Sequence, residues 1–324
     1  MKTILISGAS GIVGYGILRS LRQAAEPLRL VGTTIHPDSV APAFCDVFEL
    51  APPTHAESYL DWLCSIIRKH KVDFLIPSIE CDVYKWNEHR AALEATGARL
   101  LLNHPRLIGL CQDKWPFYLE LARCAPELAI PTRIEGGFES LADEFSLPFL
   151  LKPRRGYASK GIVQIKDKAD FEAQKDRLGA HLMAQPLVGS PEEEYTVSGF
   201  FDRQGERCCH MTLKRKLSAE GFTQTAEVAD LAGTEAALDK LGRAFNAVGP
   251  TNFQFRVQGG ELKLLEINPR ISSATSIRTA FGYNESLMSL EFYLEQRRPA
   301  PPPIRAGRAV RYAEDCIFYD RDHL

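Results

Sequence analysis

The sequence predicts an α/β domain built on a parallel sheet, followed by an α+β region built on antiparallel sheets. Two patterns carry this expectation. Over the first hundred residues short apolar runs alternate with helical stretches, as a doubly wound sheet requires. From Pro148 onward the apolar runs instead come in neighbouring pairs, the last pair joined by the Gly259–Gly260 turn. The length agrees, because 324 residues exceed one small core at roughly 100 to 200 residues per domain.

The expected parallel strands are Thr3–Ile6, Leu28–Gly32, Asp46–Leu50, Phe74–Ile76 and Arg99–Leu102. A helix is expected from Asp113, its N-cap, to Arg123, with Pro126 and Pro131 breaking the chain after it. The antiparallel pairs are LPFLLKP with GIVQIKD, EEYTVSGFFD with ERCCHMTLKRK, and TNFQFRVQGG with ELKLLEINPR; RAVRYAEDCIFY reads as a closing strand. The divisions implied are residues 1–110, 111–188 and 189–324.

Composition removes several classes of function. Lys plus Arg number 39 against 41 Asp plus Glu, a net charge of −2 without a basic tract, so nothing calls for nucleic acid. No apolar run reaches membrane length, and MKTILISGAS reads as a strand and a Gly-rich turn, so no membrane partner and a cytoplasmic location are expected. The eight cysteines lack zinc-ligand spacing and are read as reduced packing thiols.

The first turn, GASGIVG, places Gly8, Gly11 and Gly14 between a strand and a helix, where backbone amides make an anion site. A dinucleotide reader wants an acid at the end of the next strand, and Thr33 and Thr34 stand there instead. The glycines are therefore read as tight helix-on-strand packing.

More chemistry lies in LLEINPRISSATS. Strand alternation turns Glu266, Asn268 and Arg270 to one side, which suits Mg-phosphate: hard oxygens for the metal, and a guanidinium for the transferring phosphoryl group or an acyl phosphate. Gln254 on the neighbouring strand adds another oxygen. In LLKPRRGYASKGI a strand delivers Lys152 to phosphates, followed by a basic flap with Arg154, Arg155 and Lys160. Gln185, Pro186 and Leu187 end an apolar strand that can offer backbone groups to an adenine edge. Glu194 either holds ribose hydroxyls or belongs to a solvated acidic turn.

In order and spacing, Lys114, Lys152, the QPL hinge, Glu194, Gln254 and the E-x-N-P-R strand resemble the ATP-grasp superfamily. The resemblance covers nearly the whole chain and is nearest to carbamoyl-phosphate synthetase large-subunit halves and stand-alone carboxylate–amine ligases. It implies a pre-ATP-grasp Rossmann-like domain, then an ATP-grasp fold with a mobile lid. It further implies Lys114 and Lys152 on ATP phosphates and adenine, Gln185–Leu187 as adenine hinge, and Glu194 on ribose. Gln254, Glu266 and Asn268 would hold magnesium, two ions or manganese in their place, and Arg270 the acyl phosphate or substrate carboxylate. The family's reaction forms an amide-type bond from a carboxylate and an amine with ATP giving ADP and phosphate; homodimers occur among its members. The flap is less Gly-rich than in the synthetases, Pro186 replaces a frequent acid, and the second ATP-grasp half is absent from the sequence, so carbamoyl-phosphate synthesis by this sequence alone is not expected.

For substrate, Glu80 and Asp82 at a parallel strand's C-terminal end either grip an ammonium or form a solvated end and helix cap. Ser272, Ser273 and Ser276 stand where a helix N-terminus would receive a carboxylate. Lys214 and Lys216 either point inward together as a clamp or lie on an exposed face. The rival functions are an NAD(P)-dependent oxidoreductase or epimerase and a non-catalytic ATP-binding module.

Overall fold

The computed structural model describes residues 1–156 and 161–319. Five parallel strands, β1 (Lys2–Ile6), β2 (Leu28–Thr34), β3 (Val47–Leu50), β4 (Phe74–Ile76) and β5 (Arg99–Leu100), form one sheet in the order β3-β2-β1-β4-β5. The order reverses between β1 and β4, so their C-terminal ends open a crevice, the place where such sheets present ligands. Each strand falls where the apolar runs put it, within two residues at either end.

A three-stranded antiparallel sheet follows: β6 (Phe149–Pro153) lies between β7 (Val163–Ile165) and β8 (Leu182–Pro186). Its apolar face packs on the helix Phe138–Phe145 through Phe145, Phe149, Phe171 and Leu182. The largest sheet has six strands in the order β13-β12-β9-β10-β11-β14, with β9 (Glu194–Phe201), β10 (Arg207–Leu217), β11 (Thr223–Val228), β12 (Gly249–Gln258), β13 (Glu261–Asn268) and β14 (Arg308–Val310). The closing strand is thus three residues long rather than the whole of RAVRYAEDCIFY. Beyond it Tyr312, Ile317 and Tyr319 are exposed, with no apolar face to bury.

The six-stranded sheet buries both faces. One packs Val197, Phe253, Phe255 and Ile267 against the helix Thr234–Phe245 and against Phe117 and Leu121 of the helix Lys114–Cys124. That helix starts where expected, with Asp113 accepting from the Trp115 amide at 3.0 Å, but it joins this core and not that of the three-stranded sheet. The other face carries Phe200, Met211 and Leu213 into a core shared with Ile4, Ile6, Ile17 and Leu18 of the first domain. The parallel domain is therefore fixed against this sheet by continuous apolar packing. Among the described residues, no helix is long and apolar enough to cross a membrane.

Gly8 and Gly14 explain the first turn. Gly8 has φ +61°, and a Cβ there would lie 2.5 Å from Ser78 Oγ; a Cβ on Gly14 would lie 2.2 Å from the Gly8 carbonyl oxygen. Close packing alone demands both glycines.

Candidate functional site

Strand β13 faces a problem of parity. Leu262 and Leu264 sit in the core, as does Ile267, although strict alternation would put 267 on the opposite face. The pairing with β12 shows the solution: Gln254 opposes Glu266 while Phe255 opposes Leu264, so Leu265 is an extra, bulged residue. After the bulge Ile267 returns to the core, and Glu266 and Asn268 turn to the polar face. On β12 the residues on that face are Asn252, Gln254 and Arg256, opposite Ser198, Thr196 and Glu194 of β9.

Two cavities meet on this face. The first lies between the two antiparallel sheets, with apolar walls from Ile130, Leu150, Val188, Leu217 and Leu265 and polar side chains Lys114, Lys152, Glu194, Arg256, Gln254 and Glu266. The second lies toward the parallel domain and carries Glu80, Asn252, Asn268, Arg270, Ser272 and Ser273, again with Gln254 and Glu266. Gln254 and Glu266 therefore form the partition between the two. The first cavity thus joins apolar walls to the cations Lys114 and Lys152 beside the partition.

Lys152 leaves β6 part-buried, its Nζ donating to the Leu265 carbonyl at 3.3 Å. Burial lowers its pKa to about 8, against the opposing pull of the Glu266 carboxylate. Lys114 Nζ donates to the Gly156 carbonyl at 2.8 Å, at the base of the flap. Arg154 and Arg155 do not reach into the cavity: both pair with Asp113, at 2.7 Å and 3.2 Å. Burial would raise the Asp113 carboxyl, but the Arg154 bonds carry it below its ordinary value. Lys160 lies outside the described residues.

Gln185 and Pro186 line the first cavity and Val188 follows them, whereas Leu187 points outward and is exposed. Gln185 is held by a bond from its side-chain amide to Thr132 Oγ1 at 2.9 Å. Glu194 is buried and not part of a solvated turn. Arg215 binds its Oε1 at 3.0 Å and Arg256 its Oε2 at 2.9 Å. Of the two readings of Lys214 and Lys216, the inward clamp and the exposed face, the structure bears out the second. Lys214 pairs with Glu193 and Lys216 is exposed, because the pleat of β10 turns Arg215 inward instead. Arg215 and Arg256 were legible only through register: Arg256 stands directly across from Glu194.

In the second cavity Arg270 Nη2 donates to Glu80 Oε1 at 2.7 Å and to Asn268 Oδ1 at 3.3 Å. Asp82 does not join Glu80; it is buried on the other side of the strand end, accepting from Thr54 and Tyr59. Ser272 and Ser273 precede a helix of only six residues, Thr275–Ala280, and Ser276 lies within it. Ser272 accepts from Arg278 at 2.7 Å, while the Ser273 carbonyl accepts from Arg311.

Arg278, fully buried, is the element that motif reading missed. It donates to Asn252 Oδ1 at 2.9 Å and Thr196 Oγ1 at 3.1 Å and pairs with buried Glu285 at 3.4 Å. Its burial in a short helix, between Ser276, Ile277, Thr279 and Ala280, gives no sequence signal.

The family model described as "ATP-grasp in the biosynthetic pathway with Ter operon" matches residues 181–316. Carbamoyl phosphate synthase large chains are similar over 242 residues: the Methanosarcina barkeri protein at 22% identity, covering 67% of this chain and 22% of that protein. The Methanothrix thermoacetophila protein is 23% identical, over 68% of this chain and 22% of its own length. The chain thus spans about a fifth of these relatives. Among solved structures, N5-carboxyaminoimidazole synthetase from Staphylococcus aureus complexed with ADP superposes with a TM-score of 0.73 at 16% identity, covering 94% of this chain and 80% of that one. The biotin carboxylase domain dimer of Hydrogenobacter thermophilus 2-oxoglutarate carboxylase, in complex with MgADP, ADP and bicarbonate, gives 0.70 at 15% identity, over 95% and 73%.

Proposed function

We propose that this chain, which carries an ATP-grasp domain, is an ATP-dependent carboxylate–amine ligase that forms an amide-type bond through an acyl phosphate. The observation that carries the reading is the shared partition: Gln254 and Glu266 line both cavities, so a group passed from one to the other crosses them.

ATP fits the first cavity, with adenine between the apolar walls beside Gln185 and Pro186, ribose near Glu194, and phosphates toward Lys114 and Lys152. Among the described residues no group of three His, Cys, Asp or Glu side chains converges on a metal-sized point. One carboxylate, Glu266, and two amides, Gln254 and Asn268, suit a hard cation that takes its other ligands from phosphate oxygens. When bound there, magnesium neutralises charge on the β- and γ-phosphates.

The substrate carboxylate is held in the second cavity by Arg270, and its oxygen attacks the γ-phosphorus as the bond to the β-phosphate oxygen breaks and ADP forms. The amine nitrogen then attacks the acyl carbon; the bond to phosphate breaks and the nitrogen loses a proton. Arg270 and the Asn268 amide stabilise the negative charge that develops on oxygen. Residues 1–110 serve as the pre-ATP-grasp domain, 111–188 as the lid subdomain apart from the helix Lys114–Cys124, which packs on the six-stranded sheet, and 189–324 as the metal-bearing subdomain, in a cytoplasmic enzyme able to form homodimers.

A phosphate-release screen with Mg-ATP and paired amino acids and small carboxylates tests the reading. Release that needs both a carboxylate and an amine supports it. Thermal stabilisation by NAD(P)H with none by Mg-ATP would falsify it.

A further inference from the structure

We propose that the crevice over the C-terminal ends of β1, β2 and β4 receives the far end of the amine substrate, and that this end carries a second, non-reacting cation that pairs with Asp82. The inference rests on the ligase reading and names a substrate class within it.

Asp82 is 2% exposed. Thr54 Oγ1 donates to its Oδ1 at 2.6 Å and Tyr59 Oη at 2.8 Å. Trp86 Nε1 donates to Tyr59 Oη at 3.0 Å, which commits the phenol proton to Asp82. The local hydroxyls thus present hydrogens to the carboxylate, and among the described residues no cation pairs with it. A buried carboxylate without a counter-charge is costly, and its burial pushes the carboxyl above its ordinary value against the pull of these donors. A cationic ligand removes that cost.

The crevice is built to hold such a ligand. Asp82 lines it together with Ser10, Thr34, His36 and His55, and the Ser10 and Thr34 hydroxyls are bonded at 2.8 Å. Lys85 and Glu88 stand at its rim with opposite charges. Ile79 and Cys81 line both this crevice and the cavity that holds Arg270. One molecule can therefore place a reacting amine beside the acyl phosphate and a second cation on Asp82. A mononucleotide, the usual tenant of such a crevice, is disfavoured by an unpaired carboxylate.

Isothermal calorimetry in the presence of Mg-ATP, with L-lysine, L-ornithine, L-arginine and 1,4-diaminobutane against the neutral-tailed L-norleucine, is the test. At least one dication is expected to bind about tenfold or more tighter than norleucine, as loss of a partly buried charge pair implies. Asp82→Asn keeps the acceptor for Thr54 and Tyr59 and is expected to abolish that difference without lowering the melting temperature or the affinity for Mg-ATP. In the unsubstituted protein the same dication, and not norleucine, should slow alkylation of the Cys81 thiol by iodoacetamide, a readout that needs no variant. No preference for any dication, or a preference that persists in Asp82→Asn, overturns the proposal while leaving the ligase reading intact. Loss of Mg-ATP binding by the unsubstituted protein is the separate failure of that reading.

Discussion

Arg270 Nη2 lies 2.7 Å from Glu80 Oε1, which ties the end of β13, an edge strand of the six-stranded sheet, to the parallel domain. Both side chains are mostly shielded, at 16% and 20% exposure, so the contact outweighs an ordinary surface pair. Glu80 fixes the guanidinium that we propose holds the substrate carboxylate. Replacing Glu80 with Gln is expected to lower kcat for ADP release about tenfold while shifting the melting temperature little. A double-mutant cycle with Arg270→Lys should show coupling of about 1 to 3 kcal/mol; additive effects would separate the two residues.

Glu266 supplies the only carboxylate of the partition. Glu266→Gln preserves volume and strand pairing, and is expected to reduce ADP formation by about 100-fold or more, the usual cost of losing one preorganised charge-stabilising group. Circular dichroism should be unchanged. Activity within a few-fold of the unsubstituted enzyme would remove Glu266 from phosphoryl transfer.

Lys152 gives the site a pH dependence. Its pKa in the fold is about 8, lowered from 10.5, so the free protein loses this cation as pH rises through 8 and its affinity for ATP is expected to fall. Bound phosphates oppose the loss by favouring the protonated amine. Stability changes in the opposite sense. Between about 8 and 10.5 the unfolded chain holds a proton that the fold does not, so the burial penalty, fully present below 8, is relieved as pH rises through this window. Lys152→Met should flatten both profiles, measured by calorimetric ATP titration and thermal melts at matched pH.

Arg278 and Glu285 form a buried pair whose members have 0% and 1% side-chain exposure. Arg278→Met alone leaves a buried carboxylate and is expected to cost about 3 to 5 kcal/mol in urea unfolding. Arg278→Met with Glu285→Leu should recover much of that stability. The double variant would still have a misplaced Asn252, so its KM for carboxylate should rise even where its unfolding curve is restored.

Much of this architecture is visible in the residues themselves. The alternating apolar runs locate all five parallel strands because the inner ones, β1 and β4, are buried almost throughout, while the edge strand β3 keeps an apolar start although none of its residues is fully buried. The E-x-N-P-R segment is recognisable because polar, oxygen-bearing side chains on an apolar strand have no packing purpose. What the sequence does not reveal are relationships made by register and by long-range pairing. Arg215 and Arg256 reach Glu194 only because three strands align. Glu80 and Asp82 are two residues apart, yet the helix Glu80–Glu88 sends one to Arg270 and the other to Tyr59. Leu187 faces outward from the hinge although its two predecessors face in.

The bulge at Leu265 makes the place of a change in chain length, more than residue identity, the sensitive variable in β13. Conservative apolar exchanges at Leu262, Leu264 or Ile267 alter only how well a core is filled. Removing Leu265 would take out the extra residue, so plain alternation from Leu264 onward would leave Glu266 and Asn268 on the polar face and Ile267 in the core. Removing Ile267 instead would leave Glu266 or Asn268 to fill the core position, whichever way the strand pairs. Deletion of Leu265 is therefore expected to leave soluble, folded protein by circular dichroism, and deletion of Ile267 to abolish it.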